Sequence, residues 1–350
     1  MTPQITFTDA PLNSAPIPAV LAQHFITPVP LFFIRNHAPV PSINADDYHL
    51  RIDGLVNKMT EFSLRDLQQQ FPIYTRTASL ACAGNRRDEL NAFQAISASE
   101  IVWGGATIGN ATWTGVLLKD VLAAVGVTAG EHVAFEGADR EPLPDGSTRA
   151  FGGSIPLTKA LSGDNLLAFA MNDAPLPPDH GYPLRALVGG YIGARSVKWL
   201  ERITVQNTPS TNYYQATAYR LHRPELPDSP MLGEQPLYAL ICAPSPNSTV
   251  PAGQVVLQGY AIPHGTETIT NVELSLDGGA TWQAAHLDSP QSAHSWVLWR
   301  IEADLSTGEY SIVARATDSG GNQQPSDLAQ VWNDKGYVNN AYHRMTLYVG

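Results

Sequence analysis

The hydrophobic pattern of the chain changes near residue 225, and this change sets the limits on its fold. After the stretch HRPELPDSP, short alternating runs such as GQVVLQGYAI, ITNVELSLDGG and EYSIVARATDSGGN follow one another, separated by turn residues. Alternation with a period of two is typical of strands with one buried face, and Asp277-Gly278-Gly279 has the composition of a hairpin turn. Short strands at this spacing predict an all-β, immunoglobulin-like sandwich over residues 229–350.

The region before this change mixes helical and strand patterns. TEFSLRDLQQQF carries a Ser63 cap, and TGVLLKDVLAAVGV is amphipathic and ends at Gly126, so both stretches predict helices. YHLRIDGLV, YTRTASLACAG, HVAFEGA and LLAFAMN have strand patterns, without a clean βαβ repeat. We therefore predict one α+β domain over residues 1–228, whose proline-rich residues 1–25 form an extended arm. A chain of 350 residues is long enough for two such domains.

Charge, hydropathy and cysteine usage exclude several functions. The net charge of −11 argues against a nucleic-acid partner, and no apolar run is long enough to predict a membrane partner. The N-terminus lacks a basic stretch followed by an apolar one, so we expect a cytoplasmic protein, or a periplasmic one if a leader has been removed. The two cysteines are far apart and form no CxxC pattern, which argues against a disulfide framework, a zinc ribbon or c-type haem.

One of the two cysteines stands in an unusual setting. Cys82 lies in ACAGNRR, where Gly84 permits close approach of the backbone and two arginines supply positive charge. Positive charge stabilises a thiolate, which is the form that attacks substrates and binds metals. The residues alone leave four interpretations open: a nucleophile, a redox thiol, a ligand of a soft metal, or a small buried hydrophobic side chain. Cys242 lies on a predicted strand of the sandwich and is expected to be a packed thiol.

Arginines such as Arg195 recur inside apolar or glycine-rich segments of this acidic chain. FFIRNHAPVP places Arg35, Asn36 and His37 directly before two prolines that restrict the backbone. DHGYPLRALVGGYIGARSVKWL carries further polar side chains among glycines, namely His180, Arg185, Ser196 and Lys198. No P-loop and no GxGxxG pattern is present. Each basic residue taken singly is more often a structural side chain, but together they predict a site for a phosphate-bearing cofactor or another small anion.

The order of these motifs resembles the sulfite oxidase family of molybdenum enzymes, which also contains the molybdenum part of assimilatory nitrate reductases. The motifs are RNH followed by PVP, then CAGNRR, IGNATW, HGYPLR and GARSVKWL, while ELSLDGGATW, ATDSGGNQQP and AYHRM resemble the family's C-terminal dimerisation domain. The likeness runs from about residue 25 to the end of the chain. It implies a sulfite-oxidase-type molybdopterin domain, followed by an Ig-like Mo-co dimerisation domain that forms a homodimer.

The resemblance also implies roles for individual residues. Cys82 matches the cysteine whose thiolate binds molybdenum, beside the dithiolene of a pyranopterin. Arg35 and Arg87 match arginines of the anion pocket next to the metal, and Trp103 and Tyr219 match the tryptophan and the tyrosine of that pocket. The positions that match pterin- and phosphate-binding residues are Phe33, Arg35, Asn36, His37, Asp139, His180, Arg185, Ser196, Val197 and Lys198.

Two positions depart from the family pattern. The family's sulfite oxidisers usually have Asp directly before the pocket tyrosine, where this chain has Ala218, and Arg in the C-terminal W-N-x-x-G stretch, where this chain has Lys335. Lysine keeps the charge but loses the bidentate fork of a guanidinium. We assign Lys335 to anion binding, together with the two arginines, and Tyr219 to hydrogen bonding and proton handling. The departures affect the choice of substrate more than the cofactor.

The activity implied by the resemblance is molybdenum-dependent oxidation of a small oxyanion, sulfite, to sulfate. No haem or flavin domain is recognised in the sequence, so we expect the electrons to pass to an external acceptor such as a cytochrome or oxygen. A reductase of nitrate or of a sulfoxide on the same centre is an alternative that the altered pocket keeps open. A non-catalytic binding module is another, in which Cys82 is a packed thiol, the sandwich is an adhesion domain, and the protein is stable without metal.

Overall fold

The computed structural model describes residues 4–223, 225–288 and 292–350. The strands before residue 210 are β1 (Gln4–Asp9), β2 (Leu12–Pro16), β3 (Ile34–Arg35), β4 (His49–Gly54), β5 (Thr60–Ser63), β6 (Ile73–Ala81), β7 (Ile108–Leu117), β8 (His132–Pro142), β9 (Thr148–Pro156), β10 (Asn165–Met171), β11 (Ala174–Pro175), β12 (Arg185–Val188) and β13 (Leu200–Gln206). The helices are α1 (Pro18–Leu21), α2 (Leu64–Gln70), α3 (Arg87–Phe93), α4 (Leu118–Val125) and α5 (Leu157–Ala160).

These strands form three mixed or antiparallel sheets. The hairpin of β1 and β2 extends to β3, a second sheet has the order β5-β4-β13-β8-β9, and a third has the order β11-β10-β7-β6 with β12 also paired to β10. Within the second sheet β13 runs parallel to β4, whereas its other pairs are antiparallel. The predicted α+β character of this region, without a βαβ repeat, is confirmed.

The two predicted helices form, and each has a local cause. Helix α2 begins after Ser63, whose hydroxyl accepts a hydrogen bond from the Asp66 N–H at 3.1 Å while the Asp66 carboxylate accepts one from the Ser63 N–H at 3.0 Å. Helix α4 ends at Gly126, as the sequence predicts. Strand β7 and helix α3 were missed, because β7 is interrupted by polar residues and α3 is a seven-residue helix without a side-chain cap. No helix in the described ranges is both long and apolar enough to cross a membrane.

Residues 4–16 form a hairpin, where the sequence predicts an extended arm. Strand β1 pairs with β2 from Gln4 opposite Pro16 to Asp9 opposite Leu12, and β2 continues to β3, so that Asn13 lies opposite Arg35. The prolines of this segment disguise the strand pattern in the sequence, although backbone pairing satisfies its polar groups. The hairpin is therefore part of the framework that supports the RNH motif.

The chain after residue 229 is β-rich, and the described strands lie in two sheets. They are β14 (Tyr238–Ala243), β15 (Thr249–Val250), β16 (Gly253–Ile262), β17 (Ile269–Ser275), β18 (Gln283–Ala284), β19 (His286–Leu287), β20 (Val297–Leu305), β21 (Gly308–Asp318) and β22 (His343–Val349). The sheet orders are β14-β16-β20-β19 and β15-β22-β21-β17-β18. Alternate residues of β20 are buried, as its period-two pattern predicts. The predicted turn Asp277-Gly278-Gly279 lies between the paired strands β17 and β18.

An apolar cluster joins the two regions of the chain. Ala81 and Ile108 of the first region pack with Leu240, Tyr260 and Trp296 of the second, and all five residues are buried. Because Ala81 is the last residue of β6, the strand end that carries the CAGNRR motif is held against the C-terminal sheets. Both regions of the chain therefore support the CAGNRR motif.

Candidate active site

A cleft of about 690 Å³ gathers most of the predicted site residues. Segments that are far apart in the sequence form its walls, around residues 32–37, 80–83 and 180–199. The predicted residues that line it are Phe33, Arg35, Asn36, His37, Cys82, Asp139, His180, Arg185, Ser196, Lys198 and Tyr219. The lining residues that sequence reasoning did not single out are Phe32, Leu80, Ala83, Phe151, Gly193, Ala194 and Trp199.

Cys82 lies directly after β6, at the border of this cleft. Its backbone N–H donates to the Thr107 carbonyl at 2.8 Å, and its Sγ accepts a hydrogen bond from the Gly84 N–H at 3.4 Å. The residue packs beside Leu80 in an apolar cluster and is 7% exposed. Hydrogen bonds thus hold the segment around the thiol, and Cys82 lines the same cleft as the cationic residues.

The CAGNRR loop takes its shape from two residues that follow the thiol. Gly84 has no side chain, and a Cβ atom at this position would lie only 2.7 Å from Cζ of Arg87. Asn85 is buried and its Nδ2 donates to the phenol oxygens of Tyr238 and Tyr260, both at 2.9 Å. The loop is therefore anchored to the C-terminal sheets, and the Arg87 guanidinium packs directly against the backbone beside the thiol.

At the far end of the cleft, Arg185 is held by backbone carbonyls. Its Nη1 donates to the His180 carbonyl at 3.0 Å and its Nη2 to the Ser196 carbonyl at 2.9 Å. The Ser196 hydroxyl accepts a hydrogen bond from the Val188 N–H at 3.0 Å. Arg185 is 4% exposed, so its positive charge is buried, and among the described residues no carboxylate forms an ion pair with it.

Lys198 adds a second, half-buried cation to the lining of the cleft. Its Nζ donates to the Asp179 carbonyl at 2.8 Å and to Oδ1 of Asn36, and it lies 4.3 Å from the ring centroid of Trp199. Asn36 comes from the RNH motif, whereas the other residues come from the long glycine-rich segment. The contact therefore explains why two motifs separated by more than a hundred residues are both needed for one site.

Burial shifts the pKa values of the ionisable side chains in this cluster towards their neutral forms. Burial lowers the pKa of Lys198 to about 7 and that of Arg185 to about 9, and burial together with the neighbouring cations lowers the pKa of His180 to about 3. Burial also raises the pKa of Asp139 to about 6, and Oδ1 of this carboxyl has no hydrogen-bond partner within the described part of the chain. A phosphate brings charge and acceptor oxygens to such a cluster, so these residues fit a phosphate-bearing pterin cofactor.

The RNH motif is positioned by the N-terminal hairpin. Oδ1 of Asn13 accepts hydrogen bonds from the Asn36 N–H at 2.8 Å and from Nη1 of Arg35 at 3.2 Å. Asn13 is buried, and its side-chain oxygen accepts both hydrogen bonds from the RNH motif. Sequence reasoning missed Asn13, because its only signal was a polar residue in a proline-rich stretch.

Tyr219 and His37 form a hydrogen-bonded pair at the cleft, with the phenol oxygen 3.0 Å from Nε2 of the imidazole. Burial raises the pKa of Tyr219 above its usual range and lowers that of His37 well below 6.5. Both side chains are therefore uncharged near neutral pH, and one exchangeable proton lies between them. The imidazole stacks on Phe151 at 4.7 Å, which fixes its orientation. Ala218 directly precedes the tyrosine and offers no charge to this pair.

Arg87 and Lys335 belong to a second group, which adjoins the cleft and does not line it. Cζ of Arg87 lies 4.9 Å from the ring centroid of Tyr337, and this ring stacks on Tyr219 at 5.3 Å. One carboxylate links the two cations. Oε2 of Glu100 is 3.2 Å from Nη2 of Arg87, and Oε1 is 3.1 Å from Nζ of Lys335. Sequence reasoning gave no role to Glu100 or Tyr337.

Two further predicted site residues are packed away from the cleft. Trp103 is fully buried, its ring centroid lies 4.5 Å from that of Phe7, and its Nε1 has no hydrogen-bond partner among residues 4–223, 225–288 and 292–350. The side chain of Val197 lies in the main hydrophobic core and its carbonyl accepts a hydrogen bond from the Ala186 N–H. The predicted contact of Val197 with a cofactor is therefore limited to its backbone.

Arg195 is a further buried cation. In the sequence it stands out only as one of several arginines in apolar or glycine-rich segments. It is 1% exposed, its Nη2 donates to the Leu232 carbonyl at 2.8 Å, and burial lowers its pKa to about 10. Its Nη1 lacks a hydrogen-bond partner in the described residues. Its position next to Ser196 in the chain adds positive charge to the wall of the cleft.

Comparison with known families gives two matches that cover most of the chain. Residues 37–214 match the oxidoreductase molybdopterin binding domain, and residues 230–350 match the Mo-co oxidoreductase dimerisation domain. The first match begins at His37 of the RNH motif and contains the CAGNRR motif and the cationic segment of the cleft. The second contains Lys335.

Individual relatives agree with these matches. Mitochondrial sulfite oxidase from Homo sapiens is 40% identical over 97% of this chain, and the chain spans 64% of that protein's length. Sulfite oxidase from Gallus gallus is 38% identical over 95% of this chain and 75% of its own length. An inducible NADH nitrate reductase from Glycine max is 37% identical over 96% of this chain and 41% of its own length.

Among solved structures, the sulfane dehydrogenase SoxCD from Paracoccus pantotrophus superimposes with a TM-score of 0.83. The sequences are 28% identical, and the match covers 96% of this chain and 84% of the other. The likeness therefore extends over both regions of the fold.

Proposed function

Because the chain belongs to the molybdopterin-binding oxidoreductase family that includes the sulfite oxidases, we propose that it oxidises sulfite to sulfate at a molybdenum centre bound by Cys82. The observation that carries the proposal is the placement of the Cys82 thiol in the same cleft as the cations Arg35, Arg185 and Lys198. A soft thiolate ligand and a cationic, desolvated pocket are what a molybdenum-dithiolene cofactor with a phosphate tail requires.

Different residues of the cleft are assigned to different parts of the cofactor. We assign the phosphate to Arg185 and Lys198, because they are neighbouring cations of the cleft and burial lowers the pKa of each. The pterin ring system is assigned to the remaining predicted lining residues, namely Phe33, Asn36, His37, Asp139, His180 and Ser196. When bound, the molybdenum centre supplies two-electron chemistry with transfer of an oxygen atom.

The substrate side of the site is assigned to five side chains. Arg35, Arg87 and Lys335 bind the anion, because a sulfur oxyanion needs cations and hydrogen-bond donors around its oxygens. Tyr219 stays protonated through its raised pKa and donates a hydrogen bond or holds a proton together with His37. The resemblance assigns Trp103 to the same pocket, and its buried indole N–H is a donor without a hydrogen-bond partner among the described residues.

The overall reaction balances with one water molecule. Sulfite and water give sulfate, two protons and two electrons, and the new oxygen of sulfate comes from water. We propose that the electrons pass to an external acceptor, a one-electron carrier such as a cytochrome, or oxygen. The hydrogen-bonded pair of Tyr219 and His37 is assigned to relaying these protons, because a phenol and a neutral imidazole can each accept one hydrogen bond while donating another.

A reductive reaction on the same centre is the second candidate. The anion pocket differs from the pattern of sulfite oxidisers at Ala218 and Lys335, and the soybean nitrate reductase is nearly as similar to this chain as the sulfite oxidases are. These two observations support nitrate or a sulfoxide as the alternative substrate. The structural likeness to a sulfane dehydrogenase supports keeping the substrate within sulfur chemistry.

We also propose that residues 229–350 form an immunoglobulin-like sandwich that mediates a two-fold homodimer. Support comes from the match to a dimerisation domain over residues 230–350 and from two packed sheets of short, mainly antiparallel strands. The measurement is analytical ultracentrifugation of the full chain. A sedimentation coefficient that stays monomeric at micromolar concentration contradicts the dimer.

The experiment for the proposed activity is an anaerobic titration of the oxidised, molybdenum-loaded protein with sulfite, followed by the visible thiolate charge-transfer band. Bleaching by stoichiometric sulfite supports both the centre and the substrate. A band that bleaches with dithionite and resists sulfite contradicts sulfite oxidation, and reoxidation by nitrate or a sulfoxide then decides for the second candidate. A band that persists in Cys82→Ser contradicts the assignment of the ligand.

A further inference from the structure

We propose that Glu100 is a specificity-determining residue, which weakens the binding of dianions at Arg87 and Lys335 and tunes the pocket to singly charged oxyanions. The hydrogensulfite form of sulfite is such an anion. The inference rests on the proposed function, because it assigns the second group of cations to substrate binding. It adds a negative residue to a pocket in which sequence comparison had pointed only to positive and neutral ones.

The geometry shows that one carboxylate occupies both cations at once. Oε2 of Glu100 lies 3.2 Å from Nη2 of Arg87, and Oε1 lies 3.1 Å from Nζ of Lys335. Glu100 is largely buried, with a side chain 15% exposed, and the Arg87 side chain is 3% exposed. Ion pairs with this degree of burial are screened much less than those at the surface.

The hydrogen bonds of Arg87 make the competition specific. Nη1 donates to the Ile101 carbonyl at 2.7 Å and Nη2 faces Glu100, while Nε has no partner in the part of the chain that the structure describes. A guanidinium binds an oxyanion best through two parallel N–H groups. A guanidinium carries five N–H groups; the Ile101 carbonyl occupies one on Nη1 of Arg87, and the Glu100 carboxylate faces Nη2. An anion that approaches Nη2 therefore competes with Glu100 for this nitrogen.

The charge count gives the direction of the effect. Arg87 and Lys335 carry two positive charges and Glu100 carries one negative charge, so this group presents a single net positive charge to an incoming anion. A dianion is repelled by the carboxylate twice as strongly as a monoanion at the same place, since the Coulomb energy is proportional to charge. Lys335 contributes to the same net charge, because its ammonium is a point charge that lies 3.1 Å from a carboxylate oxygen of Glu100.

The test measures equilibrium binding of two inert probes, sulfate and nitrate, to the oxidised, cofactor-loaded protein by isothermal titration calorimetry. In Glu100→Gln, which keeps the shape and removes the charge, the Kd for sulfate should fall at least about tenfold, and the Kd for nitrate by a clearly smaller factor. Glu100→Asp keeps the charge and should bind sulfate nearly as weakly as the wild type.

The matched control is Glu273→Gln. Glu273 pairs with Arg315 at 2.9 Å in the C-terminal sheets and its side chain is 23% exposed, so the substitution makes the same change in net charge away from the pocket. It should leave both affinities unchanged. Thermal unfolding of each variant confirms that the compared proteins are folded.

Each outcome decides the inference without requiring turnover. A larger gain for sulfate than for nitrate in Glu100→Gln supports it. Unchanged or weaker sulfate binding, an equal gain for both anions, or no sulfate binding to either protein overturns it. If sulfite fails to bleach the charge-transfer band while the selective gain for sulfate is present, the proposed activity fails and the role of Glu100 stands.

Discussion

Lys198 provides a quantitative test of the electrostatics in the cleft. Burial and the nearby Arg185 lower its pKa from 10.5 to about 7 in the folded protein. Below the folded pKa the ammonium is charged in both the folded and the unfolded state, so the folded state bears the full free-energy cost of burying this charge. The cost corresponds to about 5 kcal/mol. As the pH rises, the folded state loses the proton while the unfolded state keeps it, and the cost falls. Stability therefore increases with pH, by about 2 kcal/mol between about pH 7 and about pH 9.

The assay is urea unfolding of the cofactor-free wild type and of Lys198→Met across this pH range. Methionine keeps the unbranched apolar stem and removes the ammonium, so the variant lacks the titration but retains every other titrating group. The quantity of interest is the difference between the two slopes of unfolding free energy against pH. The absolute stabilities also contain the lost hydrogen bonds to Asn36 and to the Asp179 carbonyl and are not compared.

Parallel curves for the two proteins would refute this reasoning, because they would mean that Lys198 keeps an ordinary pKa in the folded state. A second arm uses the cofactor-loaded protein. A phosphate bound beside Lys198 stabilises the ammonium and raises its pKa, so the difference between the slopes should shrink. A slope difference that is unchanged by the cofactor would place the phosphate elsewhere in the cleft.

Three further substitutions test the rest of the site. Cys82→Ser should abolish turnover and the charge-transfer band while the melting temperature stays within a few degrees; a variant that retains turnover would exclude metal ligation by this residue. Tyr219→Phe removes the hydroxyl next to His37 and should lower kcat about 100-fold at unchanged cofactor content, measured by steady-state kinetics, whereas an unaltered kcat would rule out a role in proton handling. Asn85→Ala should destabilise the protein by about 2–4 kcal/mol in urea unfolding, because it leaves two buried tyrosine hydroxyls without their shared donor, and a loss below about 0.5 kcal/mol would contradict this anchoring role.

The sequence predicted the parts of the site whose chemistry is written in a local motif. Cys82 beside two arginines, the RNH triplet before two prolines, and the cations of the glycine-rich segment each stand out in a short stretch. The structure brings these stretches to one cleft. The helices after Ser63 and before Gly126 were predicted for the same reason, since caps and helix ends depend on neighbouring residues.

The parts that were missed depend on contacts between distant segments. Asn13 acts only because strand pairing places it opposite Arg35, and the prolines nearby conceal that strand. Glu100 sits in SASEIVW, a stretch without a motif, and its partner Lys335 lies in the C-terminal region. No local pattern reports a contact across more than two hundred residues, so such partners become visible only in the folded chain.

The two halves of the site have different origins in the chain, and this bears on how its specificity can vary. The cationic end of the cleft is built within the first region, from Arg185 and Lys198. The group around Arg87 is completed by a segment of the C-terminal region: the Val338 N–H donates to the Ala83 carbonyl at 2.6 Å, and a Cβ on Gly336 would lie 2.6 Å from Cγ of Arg87.

This division separates cofactor binding from substrate choice. Substitutions in the segment 333–339 change the charge and the donors around Arg87 and leave the buried cations of the cleft untouched. Lys335 in place of an arginine is such a change, and the carboxylate of Glu100 reaches it from the other region. If Arg87 and Lys335 bind the substrate as proposed, a family that keeps one cofactor and varies its oxyanion substrate can do so at the contact between these two regions of the chain.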